Sequence, residues 1–213
     1  RLYARYLTHV WVWINCLSLQ IRDSMCGFRI YPLPATLAPG FIVTAVFFCQ
    51  VPLVEAKGWE LATFAAAIAV YAGATLASSL LAGPLVDRVG PQRIYPFVLL
   101  PLALALPLLG FWDGPLAAVA FMALTGLSSG AYGPAGSALW AEAYGVANLG
   151  AIRGLIGGLT VFATALSPAL MGLLLDAGIA IETLLYALGL YAVAAMLLVP
   201  AGLRRGSLAR PAP

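Results

Sequence analysis

Apolar residues run along this chain in blocks about twenty long, separated by short clusters of charge, glycine and proline. A helix rises about 1.5 Å per residue, so about 20 apolar residues cross the ~30 Å hydrocarbon layer of a bilayer. Six blocks have that length, at residues 34–54, 63–83, 94–112, 115–139, 151–174 and 183–203. The breaks between them are short: Glu55 to Glu60, Asp87 to Arg93, Asp113-Gly114, Glu142 to Asn148, and Asp176 to Glu182. Connections this tight make successive helices antiparallel neighbours. The pattern predicts an all-α integral membrane protein, a bundle of six transmembrane helices over residues 31–205. A linker segment, 1–30, precedes the bundle and a tail, 206–213, follows it.

The stretch from Leu7 to Ile21 is apolar around Trp11 and Trp13 but carries Thr8, His9, Asn15, Ser18 and Gln20. It is short and polar for a span. We expect a cytoplasmic or interfacial helix, or the remnant of a preceding linker, with tryptophan at headgroup depth; a seventh span is the competing assignment. The chain starts at Arg1 rather than methionine, as a fragment or a trimmed chain would.

Composition strengthens the membrane reading. Hydrophobic residues make up 62% of the 213 positions and charged residues 9%, against about 25% charged in soluble domains. Mean hydropathy is +0.97. The net charge of +3 and the scattered arginines give no nucleic-acid footprint. Alternating the breaks across the bilayer puts Arg22, Arg29, Arg88, Arg93, Arg153, Arg204, Arg205 and Arg210 on one side and only Lys57 on the other. Basic residues accumulate in cytoplasmic loops, so both termini are expected in the cytoplasm, with the plasma (inner) membrane as the site.

Candidate chemistry is sparse. Cys16, Cys26 and Cys49 lack metal-ligand spacing, and His9 has no ligating partners nearby, so neither a metal nor a cofactor is expected. Neither a phosphate loop nor an HExxH motif is present, and no nucleophile has a base beside it. The reading is therefore not an enzyme and not a self-contained ATP-driven pump. Pro34, Pro39, Pro52, Pro96, Pro101, Pro107, Pro134, Pro168 and Pro200 fall inside the proposed spans, which neighbouring helices make tolerable in lipid. They predict bent helices. Gly126 with Gly130, and Gly154 with Gly158, each place glycines four apart on one face, as close helix packing requires.

One stretch is more specific. Gly83-Pro84-Leu85-Val86-Asp87-Arg88-Val89-Gly90 bridges the second and third spans on the cytoplasmic side, with Arg93 just beyond. It resembles the GxxxDRxG signature loop of the major facilitator superfamily, which lies between the second and third helices of each six-helix half. Phe47-Phe48-Cys49-Gln50 resembles an element of the first helix of the C-terminal half, with Cys49 where histidine is usual. Trp140, Glu142, Tyr144 and Gly145, followed by Arg153-Gly154, resemble the connection between the fourth and fifth helices. Ser167, Pro168, Gly172 and Asp176 resemble the end of the fifth. Together they are similar to the branch of monocarboxylate and oxalate–formate transporters.

The resemblance implies transport of a small organic solute by alternating access. The chain would form one half of a twelve-helix transporter, built from two three-helix repeats. Its partners would be the lipid bilayer, a small-molecule substrate, a coupling ion and a second six-helix half; a non-transporting subunit or an inactive fragment is the alternative. In the signature loop, Asp87 is expected to face a helix N-terminus. Gly83 should allow close approach and Gly90 the turn. Arg88 or Arg93 should pair with Glu142, with Arg153 completing the gating set. Cavity-lining candidates are Thr44 and Gln50 on the first helix and Thr125, Ser128, Ser129 and Tyr132 on the fourth. Tyr71 and Thr75 on the second and Thr160 and Thr164 on the fifth complete the set. No charged residue lies in the middle of any span. Either the opposite half supplies charge, or the substrate is a monoanion or neutral molecule held by hydrogen bonds.

Overall fold

A computed structural model describes residues 33–144 and 149–207. The expectations for residues 1–30, including the interfacial helix, His9, Cys16, Cys26 and the early arginines, lie outside the described residues. So do those for residues 145–148, for Arg210 and for the side chains of Arg204 and Arg205.

All described elements are helices: α1 (Leu33–Phe48), α2 (Gln50–Lys57), α3 (Leu61–Val89), α4 (Pro91–Val98), α5 (Leu100–Phe111), α6 (Leu116–Tyr144), α7 (Leu149–Asp176) and α8 (Ile181–Ser207). Among the described residues, five stretches are long and apolar enough to cross a membrane: Leu61–Val89, Pro91–Phe111, Leu116–Ala143, Leu149–Asp176 and Ile181–Pro200. The pair α1 and α2 makes a sixth if its two pieces are one span, and they meet at a bend of 60°.

That bend departs from the single helix expected over 34–54, and Pro52 accounts for it. Proline has no N–H to give the carbonyl four residues back, and its ring crowds that carbonyl. The carbonyl is that of Phe48, the last residue of α1. The flanking bonds survive, from Cys49 N to Ala45 O at 3.1 Å and from Leu53 N to Cys49 O at 3.0 Å. The bond that Pro52 cannot make permits the elbow at this position. Pro101 acts more mildly at Leu99, between α4 and α5, where the chain keeps its course. Pro39, Pro84, Pro134 and Pro168, by contrast, sit within continuous helices.

The signature stretch also differs from expectation. It is the end of a helix rather than a loop, because α3 continues through Asp87 and Arg88 to Val89. Gly90 then turns the chain at φ 93°, a conformation that favours glycine, and Pro91 starts α4 at a position where no N–H is needed.

The longest contact is between α3 and α6. A methyl group at Gly126 would lie 2.6 Å from the Tyr71 carbonyl oxygen and 2.8 Å from the Ala74 Cβ. One at Gly130 would lie 2.9 Å from the Ser78 Cβ, with the Thr75 carbonyl closer still. Backbone touches backbone here, as the spacing of these glycines predicted. Gly154 and Gly158 have the same spacing and no such contact: nothing lies within 4 Å of either position. Their face of α7 points out of the chain. Further packing joins α1 to α7 and α8, and α5 to α6 and α8. Tyr95, Leu102, Leu106, Phe121 and Leu185 fill the centre. Helices α3 and α7 remain largely outward, with Leu80, Leu81, Val161 and Phe162 about two-thirds exposed. Lipid or another protein surface must cover these side chains.

Hydroxyl groups bolt the helices together. Ser78 donates to the Leu127 carbonyl at 2.6 Å, Ser128 to Val98 at 2.6 Å, and Ser167 to Phe41 at 2.7 Å. A carbonyl already engaged in its own helix keeps a second lone pair, so these bonds break nothing. Thr125 Oγ1 is fully buried and without a partner among the described residues.

Two consequences can be measured by thermal unfolding of the purified chain in detergent. Gly130→Val forces α3 and α6 apart and should cost about 1–3 kcal/mol, whereas Gly154→Ala should change stability by under about 0.5 kcal/mol. Ser128→Ala removes a bond and should cost about 0.5–1.5 kcal/mol, whereas Thr125→Val replaces an unpartnered hydroxyl by a methyl and should be neutral or stabilising.

Candidate functional site

Gly40, Thr44 and Phe47 occupy successive turns on one face of α1. Gly40 lets α7 come close: a side-chain carbon there would meet the methyls of Thr160 and Thr164, each at 3.1 Å. Phe47 lies edge-on to Tyr71 of α3, with ring centroids 5.5 Å apart. From α6, the Tyr132 hydroxyl donates to the Thr36 carbonyl at 2.7 Å, with Thr160 beside it. This face of α1 therefore gathers Thr44, Tyr71, Tyr132, Thr160 and Thr164 from four helices. All five are half-buried.

Their polar atoms are unequally available. Thr160 and Thr164 return their hydroxyls to the helix backbone, at Ile156 O and Val161 O, both 2.8 Å away. Thr44 and the Tyr71 hydroxyl have no hydrogen-bond partner among the described residues. The same holds for Ser129 on α6 and Gln50 at the elbow. Three candidates lie elsewhere. Thr75 sits at the α3–α6 crossing and bonds Tyr71 O at 2.7 Å. Thr125 and Ser128 are sealed in the core; on a helix, neighbouring positions diverge by about 100°, so a polar residue near the face need not point to it.

Sequence reasoning missed Thr36 and Tyr95. Their hydroxyls lie 3.0 Å apart, and the Tyr95 ring tilts against Tyr132 at 6.5 Å. Two hydroxyls near the starts of apolar runs were the available signal.

At the end of the bundle that carries the signature stretch, the expected ion pair gives way to a neutral contact. Gln92 Nε2 donates to Glu142 Oε1 at 2.9 Å, while Arg88 and Arg93 are exposed and without an ion pair among the described residues. The first turn of α4 aims Gln92, not Arg93, at the end of α6. Asp87 is likewise exposed and meets no helix N-terminus or other polar partner among the described residues. Gly83 has nothing within 4 Å, so no close approach occurs there. Arg153 donates to the Ser137 hydroxyl.

At the opposite end Lys57 is paired with Asp113. No group of three or more metal-ligating side chains occurs among the described residues.

Comparison with known proteins gives one match. The model of the Major Facilitator Superfamily fits residues 35–212; nothing among the curated proteins or the solved structures matches. The family match takes in every described helix and the signature stretch, and the chain belongs to the Major Facilitator Superfamily, a family of membrane solute transporters.

Proposed function

We propose that the chain is one six-helix half of a secondary transporter for a small organic solute, a monocarboxylate or related organic anion, working by alternating access. Both termini lie in the cytoplasm in this reading, and the membrane is the plasma (inner) membrane.

Support comes from the pattern of helix pairs. Count the spans as α1–α2, α3, α4–α5, α6, α7 and α8, and exchange the first three for the last three in order. The pair α3·α6 then becomes α7·α1, α5·α6 becomes α8·α1, and α5·α8 maps onto itself; all of these pairs are in contact. Three spans are an odd number, so a second unit of three starts from the opposite side of the bilayer. Such inverted repeats place the solute site at their junction.

The observation that carries the reading is the face described above. Helices α1 and α6, equivalent under the exchange, meet between α3 and α7, and Thr44, Tyr71, Ser129, Tyr132, Thr160 and Thr164 are the solute contacts we assign. Gln50 joins them at the elbow, while Thr75, Thr125 and Ser128 serve the fold. A monocarboxylate would be held there by hydroxyl and amide donors, and a coupling ion would be bound with the opposite half. The signature turn fits the same view. Asp87, Arg88 and Arg93 are unpaired among the described residues and are left, in this reading, to meet helices of the second half.

Two experiments test this. In a chain with Cys16 and Cys26 replaced by serine, Glu60→Cys should react with an impermeant maleimide from outside, and Arg93→Cys only after permeabilisation. Reaction of both from one side would end the six-span topology. In proteoliposomes, saturable uptake of labelled lactate or pyruvate should appear only in assemblies that contain two halves. Specific uptake by chains shown by crosslinking to be monomeric would overturn the half-transporter reading.

A further inference from the structure

The elbow in the first span leaves α2 weakly held. Pro52 removes the bond that would keep α2 coaxial with α1. Along its eight residues only Leu53 and Val54 are buried, and Val51, Pro52, Glu55 and Ala56 are exposed. So short a helix needs an external tie.

Lys57, at its end, supplies one. Its side chain is 3% exposed, and Nζ donates to the Gly110 carbonyl at 2.9 Å while pairing with the Asp113 carboxylate. Trp59 Nε1 adds a bond to the Asp113 carbonyl at 2.6 Å. Gly110 lies in the last turn of α5, where carbonyls lack intrahelical partners and the helix dipole favours a cation. This receiving end is firmly seated, since a methyl at Gly110 would meet the Tyr186 ring of α8 at 2.9 Å. The other partner is open: the Asp113 side chain is 78% exposed. A pair with one face in water is screened and reversible. No other cation can take over among the described residues, because Lys57 is the chain's only lysine and the nearest charges in sequence, Glu55, Glu60 and Asp113, are acids.

We propose that Lys57 is a positioning residue, a latch that sets the elbow angle of the first span through Gly110 and Asp113. Closed, it holds α2 against the α5–α6 connection. Released, it lets α2 swing about Cys49 and Pro52 and reshapes the face that carries Thr44 and Gln50. This last consequence rests on the transport reading; the latch itself does not.

The single lysine makes the test specific. In the full chain in lipid nanodiscs, acetylation of Lys57 by an amine-reactive ester is followed by mass spectrometry. Acetylation should be slow in the unaltered chain, at least about fivefold faster in Asp113→Ala, slow again in Asp113→Glu, and unchanged in Asp176→Asn. Spin labels at Glu55→Cys and Leu116→Cys, with the three native cysteines replaced, should give one narrow distance. Asp113→Ala should broaden it. If Asp113→Ala does not fold, Trp59→Phe is read the same way, having lost only the indole bond. Equal acetylation rates would overturn the latch. So would faster acetylation with an unchanged distance, because Lys57 would then be a fixed cap on α5. Neither readout needs a solute, so the latch and the transport reading fail separately.

Discussion

A peptide group that meets hydrocarbon without a hydrogen-bond partner costs several kcal/mol, and every described segment answers that constraint by being helical. The remaining freedom lies in how the helices approach one another and where they break. Approach is set by glycine. At Gly126 and Gly130 the backbone of α6 lies against that of α3, close enough for dispersion contacts along the crossing, the main attraction left between helices once lipid is as apolar as they are. Hydroxyl bonds from Ser78, Ser128, Ser167 and Tyr132 then fix rotation and register.

The related contact between α1 and α7 is made differently. Gly40 faces two threonine methyls instead of backbone, and the Ser167 hydroxyl of α7 donates to the Phe41 carbonyl of α1. The α3–α6 contact is thus made by backbone, and the α1–α7 contact by side chains that can change rotamer.

Much of this was legible in the sequence. Spans follow from apolarity alone, and the signature residues fall where a six-span count puts them. What was illegible depends on neighbours. Pro52 breaks its helix while Pro84, Pro134 and Pro168 do not, since each removes the same single bond and the surroundings decide whether the helix bends. Gly126–Gly130 and Gly154–Gly158 have one spacing and opposite environments, because spacing gives a face and not what lies across it. Gln92 takes the place expected for an arginine through a rotation of one residue at the start of α4. Of the polar candidates, Thr44, Tyr71, Tyr132, Thr160 and Thr164 gather on one face, and Thr125 and Ser128 turn inward.

The unbroken course of α3 through Asp87 has a mechanical side. From Thr75, at the glycine crossing, to Asp87 is about 18 Å of helix at 1.5 Å per residue. A rigid rod of that length amplifies small rotations: a tilt of about 10° at the crossing moves its tip by about 3 Å. Asp87 and Arg88 ride on that tip, with no side-chain bond among the described residues. The crossing is the fulcrum, and the charged end is the arm that reports its angle.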